Sequence, residues 1–157
     1  MAVNQDFKDL FRIFNDHGVE YLVVGAYAVI YYSAPRYTKD LDIWVNPTPG
    51  NSRRVWKALE EFGAPLIDIR PEDFTEREVV YQIGIEPNRI DLMTSLPGLS
   101  FPEAWSARQT SSYGGLPIGI LGRNHLLRSK LAAGRPQDRL DAEKLDPGAA
   151  SGQSEEI

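Results

Sequence analysis

Residues 21–45, from Tyr21 to Val45, read YLVVGAYAVIYYSAPRYTKDLDIWV. Tyr21–Val24 is short, apolar and rich in β-formers, which predicts a buried strand. Gly25 breaks it, and Ala26–Tyr32 reads as a short helix springing from the strand end. Ser33-Ala34-Pro35 stops that helix, because the residue before proline avoids helical geometry. Arg36–Lys39 is a polar loop. Leu41–Val45 alternates with period two, the pattern of a half-buried strand.

Residues two apart on a strand face the same way. Asp40 and Asp42 therefore share one side, about 7 Å apart at Cα, while Leu41, Ile43 and Val45 take the core side. Two like charges so close are costly unless they reach water or bind a cation. Mg²⁺ suits such a pair, since it takes one or two carboxylates and completes its shell with phosphate oxygens. A solvated edge strand is the plain alternative, but Asp is poor in strands. Just upstream, the Gly25-Ala26 turn frees backbone N–H groups at a helix start, where an anion is favoured, and glycine lets a phosphate come close. Neither G-x-x-x-x-G-K-[ST] nor G-x-G-x-x-G occurs.

Working outward, Phe7, Leu10, Phe11 and Phe14 mark an amphipathic helix ending at His17-Gly18. Thr48-Pro49 opens another helix, running to about Phe62 and closed by Gly63. Leu66–Ile69 is expected as a short strand. Glu78–Ile85 and Arg89–Thr94 are expected as a hairpin turning at Glu86-Pro87-Asn88. Phe101–Trp105 is a short helix. Arg108–Tyr113 and Leu116–Leu121 flank Gly114-Gly115 as a second hairpin. Helices are expected over Asn124–Ala133 and Gln137–Leu145. From Asp146 onward the composition turns to Pro, Gly, Ser and Glu, an expected disordered tail. The domain expectation is 1–145, with a core over about 5–96, a C-terminal extension over 97–145 and the tail over 146–157.

Asp91 is a third candidate acid. It shares a strand face with Arg89 and Met93, opposite Ile90 and Leu92. If that strand neighbours Leu41–Val45, three carboxylates converge, enough to hold two divalent ions or to hold one and activate a nucleophile. Lys130 falls within an apolar helix face with Leu126, Leu127, Leu131 and Ala133. An inward lysine needs an anionic partner. Nucleotide phosphates or Asp138 and Asp141 on the next helix qualify. Arg36 and Arg135 are further candidate phosphate contacts.

The net charge of −5 over 157 residues argues against a bulk nucleic-acid binder. Arg123, Arg128, Lys130, Arg135 and Arg139 nonetheless meet only Asp138 within residues 123–139, a basic patch able to meet phosphate. With no cysteine there is no disulfide framework or zinc–thiolate site. No apolar signal core or membrane-length run occurs, so a cytoplasmic location is expected.

Gly25-Ala26, thirteen residues, Asp40-Leu41-Asp42-Ile43 and a distal strand Asp91 together resemble the DNA polymerase beta-like nucleotidyltransferase superfamily. The loop Pro35-Arg36-Tyr37-Thr38-Lys39 before Asp40 is similar to the P-R-x-T-x-D of small bacterial members. The segment Lys130 to Asp141 resembles the K-x-A-x-x-R…D-x-x-D of AbiEii-type toxin nucleotidyltransferases. The resemblance spans about residues 5–145. It implies an α/β (α+β) nucleotidyltransferase fold: a mixed, mostly antiparallel sheet, helices packed on one face and a small helical C-terminus. It implies transfer of a nucleoside monophosphate from an NTP to an acceptor hydroxyl on RNA, protein or a small molecule, with Mg²⁺ or Mn²⁺ as cofactor. Asp40, Asp42 and Asp91 would be catalytic and metal-binding. Gly25, Ala26, Arg36, Thr38, Lys130 and Arg135 would bind the nucleotide. A toxin role with a cognate antitoxin is part of the implication. The departure is Ala26, where the family has Gly or Ser. It frames the alternative of an inactive nucleotide- or protein-binding module on the same fold.

Overall fold

The computed structural model describes residues 3–34, 38 and 40–146. The first helix, α1 (Gln5–Asp16), is capped by the Asn4 side chain, which accepts from the N–H groups of Asp6 and Phe7. Its expected stripe, Phe7, Leu10, Phe11 and Phe14, is buried. The chain then enters β1 (Tyr21–Val24), α2 (Gly25–Tyr32), β2 (Asp40–Val45) and α3 (Pro49–Phe62). Thr48 caps α3 by accepting from Asn51 N–H at 3.3 Å. After a 3₁₀ turn over Pro71–Thr75 come β3 (Val80–Ile83), β4 (Arg89–Met93), α4 (Phe101–Ser106), β5 (Gln109–Tyr113), β6 (Leu116–Ile120), α5 (Arg123–Ala133) and α6 (Pro136–Leu145). Apart from Asp146, the expected tail lies outside the described residues.

The six strands form one mixed sheet in the order β3-β4-β2-β1-β6-β5. β1 pairs antiparallel with β2, and both hairpins, β3/β4 and β5/β6, are antiparallel. The β2/β4 and β1/β6 pairs are parallel. Tyr21, Ile43 and Val45 point to the face covered by α1, where the rings of Phe11 and Phe14 lie 5.9 and 5.5 Å from that of Tyr21. The opposite face carries Asp40 and Asp42 at one end and Trp44 further along. It is covered too, for Trp44 is buried with its ring 5.1 Å from Phe101 of α4. Helical cover thus extends beyond the one face expected from the sequence.

Two local expectations are corrected. Residues 66–69 form a turn, not a strand. Leu66 and Ile69 pack against the core while Ile67 is 92% exposed, and a segment between Pro65 and Pro71 has little freedom to join a ladder. The strand expected over Glu78–Ile85 is only Val80–Ile83. Glu78 sits at φ 61°, which no strand accommodates, and Ile85 is out in solvent at the far end.

Candidate active site

Strand register brings the predicted acids together. Val24, the last residue of β1, lies opposite Asp42. Asp42 in turn is level with Asp91 across the parallel β2/β4 pair, and Asp40 is level with Arg89. Asp40, Asp42, Arg89 and Asp91 therefore share one face at one end of the sheet. Neighbouring strands lie about 4.8 Å apart, so the acids crowd. Gly25 turns the chain into α2 at φ 67° and packs against the Asp42 carboxylate. A Cβ there would collide with Oδ2 and lie 2.9 Å from Cβ and Cγ of Asp42.

Crowding sets the electrostatics. Burial, with Asp91 and Asp40 adding repulsion, pushes the Asp42 carboxyl up to about 6, against the opposing pull of Lys130 and Arg89. Arg89 is the local counterion. Its Nε donates to Asp91 Oδ1 at 3.1 Å, its Nη2 to Oδ2 at 3.0 Å, and its Nη1 is 3.9 Å from Asp40 Oδ2. In the amide orientation its surroundings favour, Gln82 also accepts from Arg89, at 2.8 and 2.7 Å.

Asp42, Asp91 and Gly25 floor a cleft of about 350 Å³, with Asp40 just outside its lining. Leu126, Ser129, Lys130 and Ala133 of α5 face it, together with Arg135 and Asp138, while Val80, Met93 and Ser95–Pro97 close the other side. The inward stripe of α5 is thus 126, 129, 130 and 133. Leu131, expected on the apolar face, is 62% exposed, because the spacing that points Lys130 inward turns its neighbour out. Lys130 Nζ lies 3.4 Å from Asp138 Oδ1 and 3.2 Å from Asp141 Oδ2. Arg135 pairs with Asp138 at 2.6 Å. Burial works against ionisation of Asp138, yet Arg135 and Lys130 hold its carboxyl below the usual range.

The remaining expected residues are less central. Ala26 is half-buried in the first turn of α2. Thr38 donates to the Asp40 carbonyl at 3.5 Å and is not among the cleft residues. Arg36 lies outside the described residues. Part of the basic patch of residues 123–139 is met by acids beyond that window. Arg128 pairs with Glu103 at 2.7 Å, Asp141 shares Lys130, and Arg123 donates to the Leu145 carbonyl at 2.9 Å.

Among the described residues no three His, Cys, Asp or Glu side chains form a ready metal-binding group. Arg89 occupies both oxygens of Asp91. Asp40 and Asp42 do fit a hard divalent cation. Asp40 Oδ1 is buried without a hydrogen-bond partner among the described residues, and the charged form of Asp42 is disfavoured by burial and then by its neighbours' charge. Two carboxylates with phosphate oxygens are a sufficient set for Mg²⁺. Arg89 is the residue the sequence reading left without a role. Its signal was there, since Arg89 and Asp91 are two apart on one strand and must share a face.

The architecture has solved counterparts. The lincomycin-bound lincosamide antibiotic adenylyltransferase LnuA superposes with a TM-score of 0.56 at 15% identity, over 92% of this chain and 96% of that one. This is a nucleotidyltransferase fold. A candidate nucleotidyltransferase from Thermotoga maritima matches with a TM-score of 0.59 at 12% identity, over 88% and 91% of the two chains. The antibiotic-resistance factor ANT(2'')-Ia matches at 0.58 and 12% identity, over 90% and 80%. No protein-family sequence model and no curated protein sequence matches the chain. Among the described residues, no helix is long and apolar enough to cross a membrane.

Proposed function

We propose that this chain transfers a nucleoside monophosphate from an NTP to an acceptor hydroxyl. The observation that carries the reading is the level placement of Asp42 and Asp91 on adjacent parallel strands, with Gly25 packed onto Asp42. A structural acid pair has no need of a glycine pressed against it at the mouth of a cleft.

Asp40 and Asp42 would hold Mg²⁺ or Mn²⁺, which when bound offsets the charge of the triphosphate. The backbone at Gly25-Ala26 would receive phosphate oxygens at the α2 N-terminus. Lys130 and Arg135 face the same volume from the opposite wall and would neutralise the pyrophosphate. Asp91, held by Arg89, would orient the acceptor hydroxyl. The acceptor oxygen forms a bond to the α-phosphorus, the bond from that phosphorus to the pyrophosphate oxygen breaks, and the acceptor proton passes to Asp91 or to water. Catalysis of this kind is chiefly positioning and electrostatic stabilisation.

The acceptor that fits best is a small molecule. Arg128 is paired with Glu103, and Lys130 and Arg135 are committed to the nucleotide cleft, which leaves little of the basic patch for an RNA acceptor. Membership of a toxin–antitoxin pair has no support in the geometry. Incubation of the protein with labelled NTPs, Mg²⁺ and a fractionated cell extract tests the proposal. Label should appear in a small-molecule fraction with wild type and not with Asp42→Asn. Absence of incorporation into any fraction by wild type would leave the binding-module alternative.

A further inference from the structure

Lys130 and Arg135 reach the cleft from different elements, α5 and the residue preceding α6, and one carboxylate holds both. Asp138 Oδ1 accepts from Lys130 Nζ at 3.4 Å and from Arg135 Nη2 at 3.3 Å. Its Oδ2 accepts from Arg135 Nε at 2.6 Å and from the Arg135 backbone N–H at 3.2 Å. One turn further along α6, Asp141 makes the second ionic contact to Lys130 at 3.2 Å and accepts from Gln137 at 2.9 Å. Asp138 and Asp141 are 2% and 1% exposed.

Capping of α6 accounts for only one of the four Asp138 contacts, the one from the Arg135 backbone. A capping acid needs neither burial nor two cations. Two buried carboxylates a turn apart are tolerable only if cations stay beside them. The cations so fixed are the two that face the carboxylate-bearing end of the sheet. Arg135 in particular has a side chain 76% exposed and would otherwise sample many rotamers.

We propose that Asp138 is a positioning residue. It orients Lys130 and Arg135 together toward a polyphosphate bound between Gly25 and α5, with Asp141 as the second hold on Lys130. The identity of the ligand as a polyphosphate rests on the nucleotide-transfer reading. The arrangement makes a prediction opposite in sign to simple electrostatics. A bare negative charge beside an anion site repels the anion, so neutralising it would tighten binding. Loss of a positioning carboxylate loosens two charge-assisted contacts and weakens binding.

Titration calorimetry of the full chain with inorganic tripolyphosphate in Mg²⁺ separates these cases. Asp138→Asn keeps an oxygen for the cap and removes the charge. It should weaken binding about 10-fold or more, and this loss should shrink at least about threefold when Lys130→Met or Arg135→Met is already present. Tighter or unchanged binding by Asp138→Asn, equal losses in all backgrounds, or no tripolyphosphate binding by wild type would each overturn the proposal. If circular dichroism shows that Asp138→Asn does not fold, Asp141→Asn takes its place. It should weaken binding about threefold alone and not at all beside Lys130→Met. A wild type that binds tripolyphosphate with this coupling, yet transfers no nucleotide, would retain the positioning role and refute the transfer reading.

Discussion

Gly25 and the Asp42 carboxylate are packed so closely that a Cβ on Gly25 would overlap Oδ2 of Asp42. Gly25 also sits at φ 67°, where an L side chain is disfavoured by roughly 1–2 kcal/mol. Both effects penalise the same substitution. Gly25→Ala should destabilise the protein by roughly 2–4 kcal/mol, read as a fall of about 5–12 °C in Tm. If the fold survives, Asp42 must turn aside, and Mg²⁺-dependent nucleotide binding should fall at least about 10-fold by calorimetry. A stable variant with wild-type binding would show that Asp42 takes no part.

Asp42 is a liability to the fold in the absence of a cation. Its folded pKa of about 6 stands above the unfolded value near 4. Between pH 4 and 6 the folded chain therefore holds more proton than the unfolded chain. Stability falls as pH rises through that window, and the full cost is present above pH 6. Asp42→Asn should abolish transfer yet stabilise the metal-free protein at pH 7, by at most roughly 3 kcal/mol. Urea denaturation at pH 4 and pH 7 checks this, because the two proteins should converge at the lower pH. Mg²⁺ should stabilise wild type at pH 7 and leave the variant unchanged.

The placement of the candidate site residues was legible where chemistry and period two coincided. Asp40, Asp42 and Asp91 stood out because each interrupts an apolar strand, and Gly25 because it joins a strand directly to a helix. That they meet depends on register, which one sequence does not encode locally. β2 and β4 are parallel and separated by α3 and β3, so their pairing is settled by the packed sheet. Arg89 was overlooked since an arginine near a strand end reads as solvated. Only the neighbouring strand shows it between Asp91 and Asp40. The inward face of α5 was half right, with Lys130 in the cleft and Leu131 misassigned. With Leu126, Leu127 and Leu131 all on one short helix, periodicity alone does not choose the buried pair.

Ala26 gives the phosphate grip proposed for the α2 N-terminus no side-chain donor. A hydroxyl in the first turn of α2 would add a donor beside the free backbone N–H groups. Ala26→Ser should raise affinity for Mg²⁺·ATP or tripolyphosphate about three- to tenfold, with a change in stability within about 1 kcal/mol since the position is half-buried. Calorimetry on the two proteins is sufficient. Unchanged affinity would mean that the α2 N-terminus does not touch the phosphates.

Arg89 neutralises Asp91 through two hydrogen bonds and also attracts Asp40, 3.9 Å away. Removing it leaves Asp40, Asp42 and the buried Asp91 on one sheet face, with Lys130 and Arg135 as the cations among the described residues that still act on Asp42. Arg89→Met keeps the apolar stem and discards the charge. Without divalent ions its Tm should lie below that of wild type at pH 7, and the deficit should narrow as pH falls and the carboxylates protonate. Mg²⁺ should reverse the deficit, raising the Tm of Arg89→Met more than that of wild type, because the ion supplies the charge the guanidinium no longer does. Nucleotide transfer should fall more than nucleotide affinity, since Asp91 would lose the partner that fixes its orientation. Thermal melts with and without Mg²⁺ across pH 5 to 8 distinguish this from a purely structural role, for which Mg²⁺ would raise both proteins by the same increment.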